Sequence, residues 1–110
     1  MVSTLSTYRR MESQIVSLIL ESLSVHKGRD IKIYGGRGIT GCMVVASSDS
    51  HKHVKTLADF VVKLSKEKGI SIKTEGYDLG NWVLIDMGEV IVHIFKDDVR
   101  EYYEVDALWN

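Results

Sequence analysis

Apolar and polar positions alternate along this chain in two rhythms, one helical and one extended. Over Thr7–Ser24, Ile15, Leu18, Ile19 and Ser22 recur at helical spacing with Met11 one turn earlier, which predicts a first helix. Gly28 lies just beyond it as a stop signal. Asp30 to Tyr34 alternates polar and apolar side chains and predicts a half-buried strand. Cys42 to Ala46 is a continuous apolar run, the pattern of a central strand buried on both faces. Ser47 to Ser50 breaks that strand and offers N-cap oxygens. Val54, Leu57, Ala58, Val61, Val62 and Leu64 then form the clearest helical stripe, with Lys52, Lys55, Lys63, Lys66 and Lys68 around the other side and Gly69 at its end.

Ser71–Thr74 alternates as a short strand. Trp82–Asp86, edge-like in character, and Val90–Phe95 read as two strands joined by a tight turn at Met87-Gly88-Glu89. Asp97 and Asp98 suit the positive end of a last helix. The order predicts an α+β (or α/β) fold, a mixed sheet of about five strands packed with helices.

Composition narrows the class. With 110 residues the chain is expected to form one domain, residues 1–110, around one core. Hydrophobic residues at 45% and charged residues at 26% argue against intrinsic disorder. A single cysteine, Cys42, excludes an internal disulfide and a Cys-rich zinc cluster. No apolar run approaches the roughly 20 residues of a membrane span. The Ser/Thr-rich opening with two arginines is too short to read as a targeting segment. The expected setting is the cytoplasm, a reducing compartment.

Charge is balanced overall but divided along the chain. Residues 1–74 carry 12 Lys/Arg against 6 Asp/Glu, whereas residues 75–110 carry 2 against 9. A chain-wide basic footprint for nucleic acid is missing, and the acidic final third suits a basic partner.

Candidate chemistry is sparse. Gly36-Arg37-Gly38-Ile39-Thr40-Gly41 matches the dinucleotide fingerprint, but a strand follows it where a helix N-terminus is required. Its embedded Gly38-x-x-Gly41 fails as a KH-type clamp, because that loop joins two helices. His51 and His53 at i and i+2 of a helix diverge by about 200° and cannot share an ion without distortion. Asp86, Glu89 and His93 surround the hairpin and could form a metal or acid–base group, although acids are common beside turns and His93 suits a structural role in its strand. Cys42 reads as a buried thiol, and Ser47, Ser48 and Ser50 lack a nucleophile elbow. No catalytic residues, metal site or cofactor are therefore assigned. Aromatics interleaved with carboxylates from Trp82 onward have the composition of a protein-binding surface, while Tyr102 and Trp109 are expected to cover the core.

These same residues carry a resemblance. Glu75-Gly76, the run Trp82 to Phe95, Arg100-Glu101-Tyr102-Tyr103-Glu104 and Leu108-Trp109 resemble the ribosomal silencing factor (iojap-like) family, as do Asp30-Ile31, Val44 to Ser47 and Ser50-x-x-His53-Val54. The resemblance spans about Met11 to Trp109. It implies a nucleotidyltransferase-like core without catalytic acids and a non-enzymatic role. It implies binding to the large ribosomal subunit through ribosomal protein fourteen, a steric block to joining the small subunit, and a homodimer when free. Organellar relatives imply an alternative role in large-subunit assembly; a nucleotide-binding enzyme is the less favoured alternative.

Matched by position, Glu75, Trp82, Asp86, Glu89, His93, Arg100 and Tyr103 are the expected contact region. Trp82 is the anchor, and His93 and Arg100 are alternatively supports from behind. The chain departs from the pattern at Gly41 and Cys42, where members carry an Asp and an aromatic, and at Ser48, where a glycine is common. Lys52 replaces another basic residue.

Overall fold

The structure, a computed structural model, describes residues 4–35 and 41–108, with side chains from residue 14 to residue 107 within those spans. Helix α1 covers Thr4–Val25, strand β1 Arg29–Gly35, β2 Cys42–Ser48, helix α2 His51–Glu67, β3 Lys73–Glu75, β4 Trp82–Asp86, β5 Val90–Lys96 and α3 Asp97–Tyr102, followed by a 3-10 turn over Val105–Leu108. The five strands form one sheet in the order β1-β2-β5-β4-β3. Among the described residues only β2 and β5 run parallel; the other pairs are antiparallel. The fold is thus α+β with a mixed sheet, as the element order predicts.

The two longest apolar runs meet at the centre of the sheet. Val44 and Ala46 of β2 align with Val92 and Ile94 of β5, and all four side chains are fully buried. They point to the face covered by α1 and α2, where Ile19, Leu23, Val54, Leu57, Ala58, Val61, Val83 and Ile85 complete the core. Helix α2 buries Val54, Leu57, Ala58 and Val61 of the stripe expected of it, with Val62 and Leu64 half-buried against the core. Helix α1 is turned slightly from expectation: Ile19 is buried and Ile15 packs on the core as expected, but among the described side chains its other buried residue is Leu23, whereas Leu18 and Ser22 are half-buried. Ser22 and Leu23 both lie at helical spacing from Ile19, and the position of α2 decides between them.

Chain reversals follow local chemistry. Ser50 caps α2, its hydroxyl accepting from the His53 amide at 3.1 Å. The helix ends with Gly69 in the left-handed region (φ 69°) and Ile70 N–H bonded to Ser65 C=O at 2.9 Å, a Schellman closure. After α1 the left-handed residue is Lys27 (φ 69°), one position before the glycine expected to stop the helix. Gly28 serves a different need there, since a Cβ would sit 2.9 Å from the Leu23 carbonyl oxygen.

Two strands differ from expectation. The third begins at Lys73 rather than Ser71, and all its residues are exposed, so it is the sheet's edge. Strand β4 is consequently second from the edge, although Trp82 itself extends beyond the residues that β3 pairs.

The candidate partner-binding face

The sheet's second face is only partly covered. Register places Trp82, Leu84 and Asp86 of β4 beside Phe95, His93 and Ile91 of β5, and these beside Ser47, Val45 and Met43 of β2. Glu75 and Lys73 of β3 continue the rows. Side chains alternate across a strand, so all of these project away from α1 and α2. Helix α3 and the 3-10 turn cover one end, where Val45, Phe95 and Val105 are buried with Tyr34 and Val99 against them. At the other end Met43, Leu84, Asp86 and Ile91 stay half-buried and Glu75 and Lys73 exposed. Parallel strands are normally buried on both faces, so this opening beside the parallel β2–β5 pair is the feature to explain.

An aromatic group stands where the covered and open ends meet. Trp82 is 38% exposed. Its ring centroid lies 4.7 Å from Phe95, 5.9 Å from His93 and 6.5 Å from Tyr103. The indole Nε1–H donates to His93 Nδ1 at 3.0 Å, which fixes the tautomer with the proton on Nε2. His93 is 5% exposed, and burial lowers its pKa below the ordinary histidine value. The imidazole is therefore neutral and holds the indole in place. Tyr103 is exposed and meets Tyr102 edge-on at 4.9 Å. Tyr102, expected to cover the core, is instead the most exposed of the large hydrophobic side chains among the described residues, at 79%. It is the last residue of α3, where the helix ends. Trp109 lies outside the described residues.

The carboxylates divide by role. Asp86 accepts the Gly88 amide at 2.8 Å and shapes the hairpin. Glu89 points its side chain to solvent while its carbonyl accepts the Cys42 amide at 2.8 Å. The Gly41 departure from the family pattern has its reason here: a Cβ at Gly41 would stand 2.3 Å from the Glu89 carbonyl oxygen. Gly76, beside exposed Glu75, is held against Trp82 in the same way, with φ 80° and a would-be Cβ 2.0 Å from the Trp82 carbonyl oxygen.

Arg100 lies behind this surface. It is 7% exposed and makes a two-pronged contact with Asp106, Nε to Oδ2 and Nη2 to Oδ1, both at 2.8 Å. Its Nη1 donates to the Asp30 carbonyl at 2.8 Å and the Ser47 hydroxyl at 3.1 Å. Asp30 presents that carbonyl from a left-handed conformation (φ 46°), at the irregularity in β1. The Tyr34 hydroxyl donates to Asp106 at 2.6 Å. Arg100, then the Tyr34 hydrogen bond, hold the Asp106 carboxyl well below the usual range; that same hydrogen bond raises the Tyr34 pKa. The network clamps the 3-10 turn to β1 and β2. Asp106 was not marked in the sequence, because only the fold-back of the last turn brings it to Arg100.

Other candidate groups do not assemble. Asp86, Glu89 and His93 have the separate roles just described, and no group of three metal-ligating side chains occurs among the described residues. His53 uses Nε2 on the His26 carbonyl at 2.7 Å and Nδ1 on Ser48, whose hydroxyl occupies the place of the family's glycine. Asp49 and Asp97 approach one another only through Arg29, which binds them at 3.2 and 3.0 Å. No helix of the described residues is long and apolar enough to cross a membrane.

This arrangement has relatives. The sequence pattern of one family, described as "Ribosomal silencing factor during starvation", matches residues 10–110. The ribosomal silencing factor of Chromobacterium violaceum is 42% identical over 105 residues, covering 91% of this chain and 86% of that protein. That of Halalkalibacterium halodurans is 33% identical over 101 residues, covering 88% and 86%. A mouse protein named for mitochondrial assembly of the ribosomal large subunit is 26% identical, covering 86% of this chain and 45% of its own length. Among solved structures, a Chromobacterium violaceum protein superposes with a TM-score of 0.82 at 40% identity, covering 88% of this chain and 84% of that one. One from Bacillus halodurans gives 0.80 at 32% identity, covering 88% and 94%. By sequence and by fold, the chain belongs to the ribosomal silencing factor family.

Proposed function

We propose that this chain represses translation by occupying the large ribosomal subunit at its ribosomal protein fourteen, so that the small subunit cannot join. The observation that carries the reading is the half-open sheet face with a partly exposed, hydrogen-bonded tryptophan at its margin. Apolar floor residues and a rigid aromatic anchor supply affinity, and surrounding carboxylates steer a basic protein into register. Trp82 is the anchor, with Tyr103 beside it. Glu75 and Glu89 are the exposed carboxylates, and Asp86 shapes the adjoining turn. His93 and Arg100 belong to the region as supports, one orienting the indole and the other fixing the C-terminal turn.

In this reading the protein acts sterically, as a cytoplasmic factor without catalysis or cofactor, its residues 1–110 working as one domain. It forms a homodimer when free. Family membership and the large-subunit name of the mouse relative support the choice of partner. That name also favours a second reading, participation in large-subunit assembly.

The test is co-sedimentation with separated ribosomal subunits followed by a subunit-joining assay. Binding to large subunits with loss of joined ribosomes is the expected result. Binding without an effect on joining selects the assembly role. No binding to either subunit overturns both.

A further inference from the structure

The face opposite the aromatic patch has a chemistry of its own. On α2, Lys52, Lys55, Lys63 and Lys66 project away from buried Val54, Leu57, Ala58, Val61 and Ser65. At about 100° and 1.5 Å per residue they fill an arc of roughly 80° and a length of about 21 Å. Lys68 extends the charge beyond the helix end and is exposed. Against these five cations residues 52–68 have two acids, Asp59 and Glu67, and Asp59 is engaged by the Tyr77 hydroxyl. No carboxylate of the described residues lies within ion-pair distance of any of the five ammonium groups.

Helix stability does not account for this pattern. The first turn of α2 holds no acid and carries Lys52, the charge that the helix dipole disfavours there. Of the four stripe lysines only Lys66 sits in the last turn, where a cation is favoured. Internal neutralisation does not account for it either, because the acids of the chain's final third, apart from Asp78 beside Tyr77, lie on or beside α3, the 3-10 turn, the hairpin and the opposite sheet face. A row of ammonium groups on one rigid helix, none with a carboxylate partner and only Lys55 set over an aromatic ring, that of Tyr77 at 5.5 Å, fits a polyanion with regularly spaced charges.

We infer that the stripe Lys52, Lys55, Lys63 and Lys66 is a contact surface for the phosphodiester backbone of RNA, engaged by charge and not by base sequence. The inference rests on the large-subunit reading for where that RNA is met. The two faces would then divide the work, the aromatic face taking a basic protein and the lysine face the neighbouring RNA.

The experiment measures anisotropy of a fluorescein-labelled RNA hairpin titrated with the full chain across a potassium chloride series. Replacing all four stripe lysines by glutamine should flatten the slope of log affinity against log salt by about 3, at roughly 0.7–0.9 per neutralised phosphate. The corresponding four Lys→Arg changes should restore it, and matching circular dichroism shows that each variant folds. Equal slopes for the wild type and the glutamine variant, or no hairpin binding by the wild type, overturn the inference. So does competition by polyglutamate as effective as competition by unlabelled RNA, which would assign the stripe to an acidic protein. Large-subunit co-sedimentation in parallel separates the two claims. Hairpin binding that needs the lysines, without subunit binding, overturns the large-subunit reading alone; the converse overturns the RNA contact alone.

Discussion

Trp82 and His93 are joined across neighbouring strands, the indole Nε1–H donating to the imidazole Nδ1 at 3.0 Å. The two residues are not register partners: Trp82 lies opposite Phe95, and His93 opposite Leu84. The bond therefore runs diagonally, drawing the indole over the sheet toward the open end instead of letting it stand free. An aromatic side chain held in this way loses little further freedom when a partner covers it.

Trp82→Ala should weaken large-subunit binding by about 30-fold or more, the range of an interface hot spot. The fold should survive, because the indole is already 38% exposed. Urea unfolding should show a loss of about 1–2 kcal/mol from the missing aromatic contacts. Unchanged affinity in a folded variant would remove Trp82 from the contact surface.

Burial lowers the His93 pKa below its ordinary value, so the unfolded chain binds this proton more readily than the folded one. Stability should therefore rise with pH through the window below about 6.5 and level off above it. His93→Gln keeps a side-chain acceptor for the indole and removes the titration. Urea midpoints for this variant should vary less between acidic and neutral pH than those of the wild type. Parallel curves for the two proteins would contradict the assignment.

Asp106 shows the opposite sign. Its folded pKa lies below the unfolded one, so its contribution is complete above the ordinary aspartate range and is lost as pH falls toward the depressed value. Asp106→Asn leaves buried Arg100 without its carboxylate and should cost about 2–4 kcal/mol at neutral pH. The variant should lose less additional stability than the wild type below about pH 4. Thermal melts at neutral and acidic pH check both statements.

Gly76→Ala and Gly69→Ala separate backbone strain from crowding. Both glycines have positive φ, 80° and 69°, but nothing lies within 4 Å of a Cβ at Gly69, whereas at Gly76 it would meet the Trp82 carbonyl. Gly69→Ala should cost about 1 kcal/mol, the ordinary left-handed penalty. Gly76→Ala should cost distinctly more and should also reduce partner binding, since Trp82 must shift to make room. Equal losses for the two would show that the Trp82 strand yields freely.

Legibility in the sequence followed the strength of the local signal. Helix α2 and the β4–β5 hairpin were readable because long apolar periodicities and a Met-Gly-Glu turn agree with one another. In helix α1 the position of the helix and the burial of Ile15 and Ile19 are legible, but not the choice of Leu23 over Leu18 and Ser22, because all fit helical spacing and only α2 chooses between them. Strand β3 was misplaced because three exposed residues at a sheet edge leave no hydrophobic pattern. Within the site, the positions of Trp82 and His93 in the hairpin could be read, but their hydrogen bond could not, since it depends on side-chain tilt across the register. The exposure of Tyr102 and the partnership of Arg100 with Asp106 were hidden for another reason. Both depend on how a six-residue helix and a 3-10 turn fold back over β1 and β2.

The parallel pairing of β2 with β5 has a consequence for how the molecule comes into being. The middle of the sheet joins a strand ending at Ser48 to one beginning at Val90, so its central seam is also among its most distant pairings along the chain. Closing so long a loop is entropically late. During synthesis, α1, β1, β2 and α2 emerge first and wait with an open seam until Val90–Lys96 has left the exit tunnel. The Trp82 surface is assembled by that same strand, because His93 and Phe95 hold the indole. A nascent chain thus lacks the Trp82 surface until Val90–Lys96 has joined the sheet, however early β4 itself is made.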